Sequence, residues 1–468
     1  VENKTGYRLL NNICPIEGYT IEVYKSLKKL TLMKYFLNII LVIVAINPSL
    51  RAQSVVRVSQ IINVTLAGPG SLVSFELKGF LPRDIPNRQR VIDIRFYGAK
   101  IQKIHSDKSD YYQYKFDGQS NYILNNSIVI EYDLELYDFD LSIAQNKSVK
   151  LSEDRIDLKK YIKASSFERK DHKRILEVIP QINGVSEFET LKNIFDYVVS
   201  NLEYDNGINE NIGAVKALKK GRGDCTEFSD LMVTLCRAKG IPSRVVTGSI
   251  AKTAKNPNHN WVEVYINKYG WLPFDPTFAD SKSASFEDIP NKYIYLNRER
   301  TDSSLGSSVF KYNWRTSSMD TRVFVESTYQ CDKSFNKLLR QASEYYHKED
   351  YPKAIELLNY LLTIDNLNVR CITFKAMIFA REGNFKDANQ FFQIALRNSN
   401  HDYEIMTASY SYANYLSLIG DYEGSVKYLR TAIDYGFDNF EHLKEDKDLA
   451  DLRKTEIYKE FLDEINLN

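Results

Sequence analysis

The last third of this chain repeats itself, and a repeat of this kind admits few folds. Tyr351, Ala354, Ile355 and Leu358 return as Phe385, Ala388, Asn389 and Phe392, and again as Tyr422, Ser425, Val426 and Leu429. The interval is roughly 34 residues, enough for two helices and a turn. Ala342, Ala376 and Ala413 place a small residue on the first helix of each copy, which lets the paired helices approach closely. Glu349-Asp350, Gly383-Asn384 and Gly420-Asp421 mark the turn within each copy. One helix pair cannot bury its apolar face alone, so the copies from about Phe335 to Tyr435 must stack. Leu443, Leu449, Leu452 and Phe461 would then close the exposed edge.

The period is different upstream. Val91 to Tyr97 and Ile128 to Leu136 alternate apolar and polar residues, with turn signals at Gly68-Pro69-Gly70, Asp117-Gly118 and Asn125-Asn126. Short strands between such turns predict a β-sandwich over residues 53–162. Its role is either support for the next domain or the binding of a partner or glycan. From about Ser166 the pattern turns helical, and Leu191, Ile194, Phe195 and Val198 form one apolar stripe. After Asp275, Phe310 to Trp314 and Arg322 to Val325 read as further strands, and Ser303 to Ser308 as a mobile loop.

Between these regions lies Gly221-Arg222-Gly223-Asp224-Cys225-Thr226-Glu227. A cysteine follows a Gly-rich turn and opens an amphipathic helix carrying Phe228, Leu231, Met232, Leu235 and Cys236 on one face, stopped by Gly240 and Pro242. Asp224 caps this helix, with Glu227 completing a capping box. Cys225 therefore sits at the positive end of a helix, a place that favours a thiolate nucleophile. Its base needs an orienting partner. His259-Asn260-Trp261-Val262-Glu263-Val264-Tyr265-Ile266 reads as a strand with Val262, Val264 and Ile266 buried. His259, Trp261, Glu263 and Tyr265 take a polar, site-bearing face. A turn at Asn267 to Gly270 folds Asp275 back roughly opposite His259, a few residues out of register, so Pro273 is expected to mark a bulge or the strand end.

Here the chain resembles the transglutaminase-like superfamily of papain-like thiol enzymes. The resemblance is carried by Gly223-Asp224-Cys225, Gly240 to Gly248, His259 to Val264, and Gly270-Trp271 running into Asp275-Pro276-Thr277, in the family's order, and spans about Lys163 to Asp280. It implies Cys225 as nucleophile, His259 as general base and acid, and Asp275 as the residue orienting the imidazole. Trp261 and Glu263 either support that site or simply pack. The C-terminal repeat resembles tetratricopeptide repeats, which implies a concave surface for a protein partner. The fold expected is multidomain: a β-sandwich (53–162), an α+β papain-like, transglutaminase-like catalytic domain (163–330), and a tetratricopeptide-type α-helical solenoid with a C-terminal cap (335–468).

Composition narrows what remains. With 43% hydrophobic and 26% charged residues, the chain has the makeup of core-forming globular domains. A net charge of +1 gives no electrostatic case for nucleic acid. Cys225 and Cys236 lack paired CxxC spacing, so the site calls for no metal, and no cofactor is implied. Residues 1–52 read as a secretory signal region: Lys28, Lys29 and Lys34 precede the apolar run Phe36 to Ile46, and Ser49 to Ala52 resembles a cleavage site. Met33 is the expected start, with residues 1–32 an over-extension. An uncleaved anchor is the alternative. Export predicts a periplasmic or secreted bacterial protein, with no membrane association after cleavage, and leaves Cys331 and Cys371 free to pair. The expected activity is hydrolysis of a peptide or amide substrate. Protein cross-linking, or an inactive scaffold binding through its repeats, are the alternatives.

Overall fold

The computed structural model describes residues 53–98, 100–116, 127–142, 157–207, 210–267, 269–281 and 283–465. The expected signal segment, its Met33 start and its cleavage site lie outside these residues. Among the described residues no helix is long and apolar enough to cross a membrane.

The N-terminal half is a sandwich of two four-stranded antiparallel sheets. One is built from β1 (Gln53–Ala67), β3 (Gln89–Tyr97), β6 (Ile128–Tyr137) and β12 (Arg322–Asp332) in the order β12-β1-β6-β3. The other takes β2 (Leu72–Leu81), β4 (Gln102–His105), β5 (Asp110–Phe116) and β11 (Phe310–Thr316) in the order β11-β2-β5-β4. Alternation along β1 and β2 buries Val58, Ile62, Val64, Phe75 and Leu77 with Tyr112, Ile130 and Leu134 from facing strands. The last two strands of this fold come from beyond Asp275. The strands of 310–332, which the expected catalytic domain (163–330) took in almost to their end, pair with β1 and β2 instead. Alternation announces a strand but not the strand it will pair with. The loop before it is also anchored rather than mobile. Leu305 is in the sandwich core, and Asp302 accepts from the Tyr111 hydroxyl at 2.6 Å.

The middle of the chain packs helices α1 (Glu187–Asn201), α2 (Gly213–Lys220) and α3 (Cys225–Ala238) with a further antiparallel sheet. That sheet runs β9 (Gly270–Phe274), β8 (Asn258–Ile266), β7 (Ser243–Ile250), β10 (Tyr293–Asn297). The predicted stripe Leu191, Ile194, Phe195 and Val198 of α1 meets Phe228, Leu231, Met232 and Leu235 of α3 in one core with Val245, Val262 and Val264. Helix α3 is not amphipathic in its setting: every residue from Thr226 to Arg237 is buried. Its polar residues are matched inside. Arg300 clamps Asp230 through two bonds of 2.6 and 3.1 Å, and Arg237 donates to Glu168 at 2.9 Å and to the Ser243 carbonyl. Buried charges persist in this way only when paired.

Eight α-helices follow from Ser334 to Glu464. The first six form three hairpins: Ser334–His347 with Tyr351–Ile364, Val369–Arg381 with Phe385–Asn398, and Asp402–Leu418 with Tyr422–Asp434. Ala342, Ala354, Ala376, Ala388, Ala413 and Ser425 are all buried at the helix contacts. Each hairpin turns through one left-handed residue: Glu349 (φ 62°), Gly383 (φ 77°) and Gly420 (φ 82°). The array is seated on the sandwich, with Val55 of β1 in the same cluster as Phe335 and Leu339. The disulfide open to Cys331 and Cys371 is not formed, and all four described cysteines are free.

Candidate active site

The position of Cys225 is set by its local sequence. Gly221 takes a left-handed conformation (φ 68°) and ends α2. Arg222-Gly223 then pairs in parallel with Glu203-Tyr204, and Asp224 starts α3. Gly223 has no room for a side chain, since a Cβ there would lie 2.3 Å from that of Glu227. The expected capping box is present: Thr226 N–H donates to Asp224 Oδ1 at 2.7 Å, and Asp224 N–H donates to Glu227 Oε2 at 3.2 Å. The other Glu227 oxygen accepts from Ile212 N–H at 3.1 Å. Burial first, then the hydrogen bond and charge of Asp224, push Glu227 up to about 7. Cys225 is half-buried at the first helical position, where the backbone N–H has no intrahelical acceptor.

His259 lies on β8 opposite Gly248 of β7. In the β8–β9 hairpin, Val262 pairs with Phe274 and Glu263 with Pro273. Continued one step, this register places Asp275 across from Trp261 and diagonal to His259, on the same sheet face. Of the two outcomes expected at Pro273, no bulge occurs, and the strand ends one residue on, at Phe274. β9 is an edge strand, where proline's missing N–H costs no ladder bond. His259 Nε2 and Asp275 Oδ2 are 2.7 Å apart. That leaves Nδ1 toward Cys225, whose hydrogen bond and charge favour the protonated ring. Asn260 Nδ2 donates to Thr226 Oγ1 at 3.0 Å, tying the histidine strand to the cysteine helix.

Asp275 is fully buried and saturated with hydrogen bonds. Oδ2 accepts from His259 and from the Tyr293 hydroxyl at 2.5 Å. Oδ1 accepts from Thr277 N–H at 3.0 Å and Phe278 N–H at 3.1 Å, as the N-cap of the short helix α4 (Pro276–Asp280). Burial alone would raise Asp275, but the His259 charge and hydrogen bond, with those from Tyr293 and Phe278, hold it below its ordinary value. Burial alone would lower His259. The Asp275 charge and hydrogen bond, with that of Cys225, outweigh it and push the imidazole up to about 10. The favoured state is therefore an imidazolium facing a sulfur, held by a carboxylate.

The face expected to be polar on β8 is buried at His259, Trp261 and Glu263, with Tyr265 half-buried. The Trp261 ring fills the space above Gly248, where a Cβ would come within 2.5 Å of it, and packs edge-on against Tyr293 and Tyr295. Phe278 stacks on the imidazole with centroids 4.2 Å apart. Glu263 does not reach the site. It pairs with Arg244 at 2.6 Å, and the Arg244 guanidinium lies 3.8 Å over the Trp271 ring. The structure thus unites Cys225, His259 and Asp275, places Trp261 as a packed wall beside them, and removes Glu263. Tyr293 and Phe278 escaped the sequence reading, and Gly248 entered it only as the end of a motif, with no role assigned. The one available signal was the alternation Tyr293-Ile294-Tyr295, which marks a strand but not its neighbour. The other cysteines are poor nucleophiles: burial pushes Cys236 up to about 12 and raises Cys371 and Cys331. No cluster of metal-ligating side chains occurs among the described residues.

Residues 179–276 match the family model described as the transglutaminase-like superfamily. YebA of Bacillus subtilis, an uncharacterized protein, is 32% identical over 129 residues, 22% of this chain and 17% of that one. The uncharacterized ML0607 of Mycobacterium leprae is 30% identical over 104 residues, 18% of this chain and 37% of that one. The chain thus spans less than half the length of either curated relative. The crystal structure of a candidate cysteine protease from Cytophaga hutchinsonii superposes with a TM-score of 0.41 at 17% identity, over 60% of this chain and 98% of that one. The matched span holds the cysteine helix, the histidine strand and Asp275, and residues 179–276 form a transglutaminase-like superfamily domain.

Proposed function

We propose that this chain is a cysteine-dependent acyl-transfer enzyme that hydrolyses peptide or amide bonds. The supporting observation is the buried chain Tyr293–Asp275–His259, which ends at a cysteine on a helix N-terminus. Cys225 sulfur attacks the carbonyl carbon, forming a C–S bond, and the Cys225 backbone N–H stabilises the oxyanion. The C–N bond breaks as His259 gives its proton to the leaving amine. Water, deprotonated by His259, then attacks the thioester, releasing the acid and the thiol. Asp275 holds the ring orientation and charge through both steps. Export, and a protein partner at the tetratricopeptide-like array, remain parts of the proposal that rest on sequence.

The test uses p-nitrophenyl acetate. A burst of nitrophenol should accompany one acetyl group on Cys225, read by mass spectrometry, and Cys225→Ala and His259→Ala should abolish both. Added primary amine then reports the partition. Acetyl transfer to amine exceeding transfer to water would replace hydrolysis with cross-linking. No acetylation of Cys225 would favour the scaffold alternative.

A further inference from the structure

Three lysines gather on the His259 side of the site. The turn between β7 and β8 rises directly from the end of the strand that carries His259, and Lys252 is exposed on it. Lys292, half-buried, precedes Tyr293, and its carbonyl accepts from Ala251 N–H at 2.8 Å, so Lys252 and Lys292 are neighbours. Lys333 is exposed at the end of β12, which is bound to the same turn through Ala254–Tyr329 and through Cys331 N–H to Thr253 Oγ1 at 3.0 Å. Lys292 Nζ lies 4.8 Å over the Phe278 ring, and the other side of that contact chain is His259. One aromatic ring therefore separates an ammonium group from the imidazole. Among the described residues none of the three is in an ion pair, whereas Lys255 nearby is matched by Glu326 at 3.0 Å. The adjacent carboxylate, Asp332, is occupied with Ser334, accepting from its N–H and its hydroxyl. Crowding of like charge is felt: burial, then Lys252 and Lys333, lower Lys292 despite the opposing pull of Asp275.

We infer that Lys252, Lys292 and Lys333 select substrates carrying a carboxylate on the leaving-amine side of the cleaved bond. This rests on the acyl-transfer reading of Cys225. In that reaction the acyl half stays on sulfur, while the leaving amine lies against the group that protonates it, His259. Lysines beyond His259 therefore meet the amine half, either its free terminal carboxylate or an acidic side chain. A focused positive field at a cleft raises the local concentration and encounter rate of an anionic partner. The field acts before the amine departs, so it accelerates acylation and not the common hydrolysis step.

Two esters separate the halves: p-nitrophenyl acetate and its ring-carboxylated analogue place the same acetyl on Cys225 and differ only in the charge of the leaving group. Burst rates are normalised to each ester's rate with N-acetylcysteine. The normalised preference for the anionic ester should exceed about tenfold, fall at least about fivefold in Lys252→Ala/Lys292→Ala/Lys333→Ala, and return in the corresponding triple Arg variant. It should also shrink with added salt. A normalised preference that the triple Ala variant leaves within twofold of wild type overturns the inference. Acylation by the neutral ester with no charge preference would sink this inference alone. Failure of both esters, with Cys225 alkylated by iodoacetamide no faster than Cys331, would sink the acyl-transfer reading beneath it.

Discussion

Asp275→Asn is the perturbation that most directly weighs the proposed site. The wild-type imidazole is pushed from 6.5 up to about 10 against the opposing cost of burial. At ~1.4 kcal/mol per unit, the carboxylate and thiol together supply several kcal/mol in favour of the imidazolium. Asparagine keeps the shape and accepts a hydrogen bond but removes the charge. Desolvation then dominates and acts downward, so His259 in the variant should titrate below 6.5. The swing is more than about three pH units.

The sign for stability comes from the same shifts. In the wild type, the His259 contribution is complete below its unfolded value of 6.5 and is lost as pH rises toward about 10. The Asp275 contribution is present above the unfolded carboxylate value and is lost as acid takes the pH through its lowered folded value. The pair therefore stabilises most between about pH 4 and 6.5. In Asp275→Asn a buried neutral histidine resists charging, so stability should instead fall below pH 6.5. NMR of ring-labelled histidine, assigned by His259→Gln, reads the titration directly. Iodoacetamide labelling of Cys225 near neutral pH should slow by about a hundredfold or more as the imidazolium is lost. A wild-type His259 titrating near 6.5, or a variant titrating at the wild-type value, would refute the reasoning.

Other substitutions probe the shell around this pair. Tyr293→Phe keeps the ring against Trp261 and removes one of the four bonds to Asp275. Its expected cost is about 1–2 kcal/mol in denaturant unfolding with the fold intact by circular dichroism, and Asp275, which this bond helps hold down, should titrate closer to its ordinary value. Gly248→Ala would place a Cβ 2.1 Å from the Ile294 carbonyl oxygen and 2.5 Å from the Trp261 ring. Backbone cannot yield cheaply, so a loss of about 1–3 kcal/mol or more is expected in denaturant unfolding, and an unchanged midpoint would contradict the close packing. Glu349→Gly removes left-handed strain from an exposed turn whose counterparts are Gly383 and Gly420. It should stabilise the helical array by up to about 1 kcal/mol, measured as a higher thermal midpoint.

What the sequence made legible is what is decided locally. The capping box of Asp224 and Glu227 depends on four consecutive residues, and the stripe on α1 depends on one helical period. The His259–Asp275 relation is readable because a hairpin turns distance along the chain into distance across two strands. It was readable to within two residues, the offset that the hairpin register leaves, and of the bulge or strand end expected at Pro273 it is the strand end that occurs, at Phe274. Tyr293 was not legible, because it arrives from a strand on the far side of β7. Its contact depends on Gly248 leaving a gap that only the assembled sheet reveals. The burial of α3 on all sides was hidden for a similar reason. Asp230 and Arg237 look like solvent-facing residues until Arg300 and Glu168 are brought to them from elsewhere in the chain. Glu263 misled because alternation assigns a face but not a partner, and Arg244 claims it from the neighbouring strand.

The role of the β-sandwich is readable from a single strand. Along β10, Tyr293 and Tyr295 belong to the core around the candidate site, while Ile294 and Leu296 belong to the core of the sandwich. The strand that supplies a hydrogen bond to Asp275 is thus held from behind by the sandwich's own packing. Ala251, at the end of the strand that faces His259 across the sheet, is buried in the same sandwich core. The chain also leaves the sandwich after β6 and returns to it through β11 and β12, so both ends of the segment that carries the candidate site are fixed in its two sheets. A site of this kind depends on sub-ångström placement of the imidazole, and rigid support behind the positioning residues provides it. Between support and ligand binding, the two roles open to this region from sequence, the packing favours support. The sandwich is the back wall of the site.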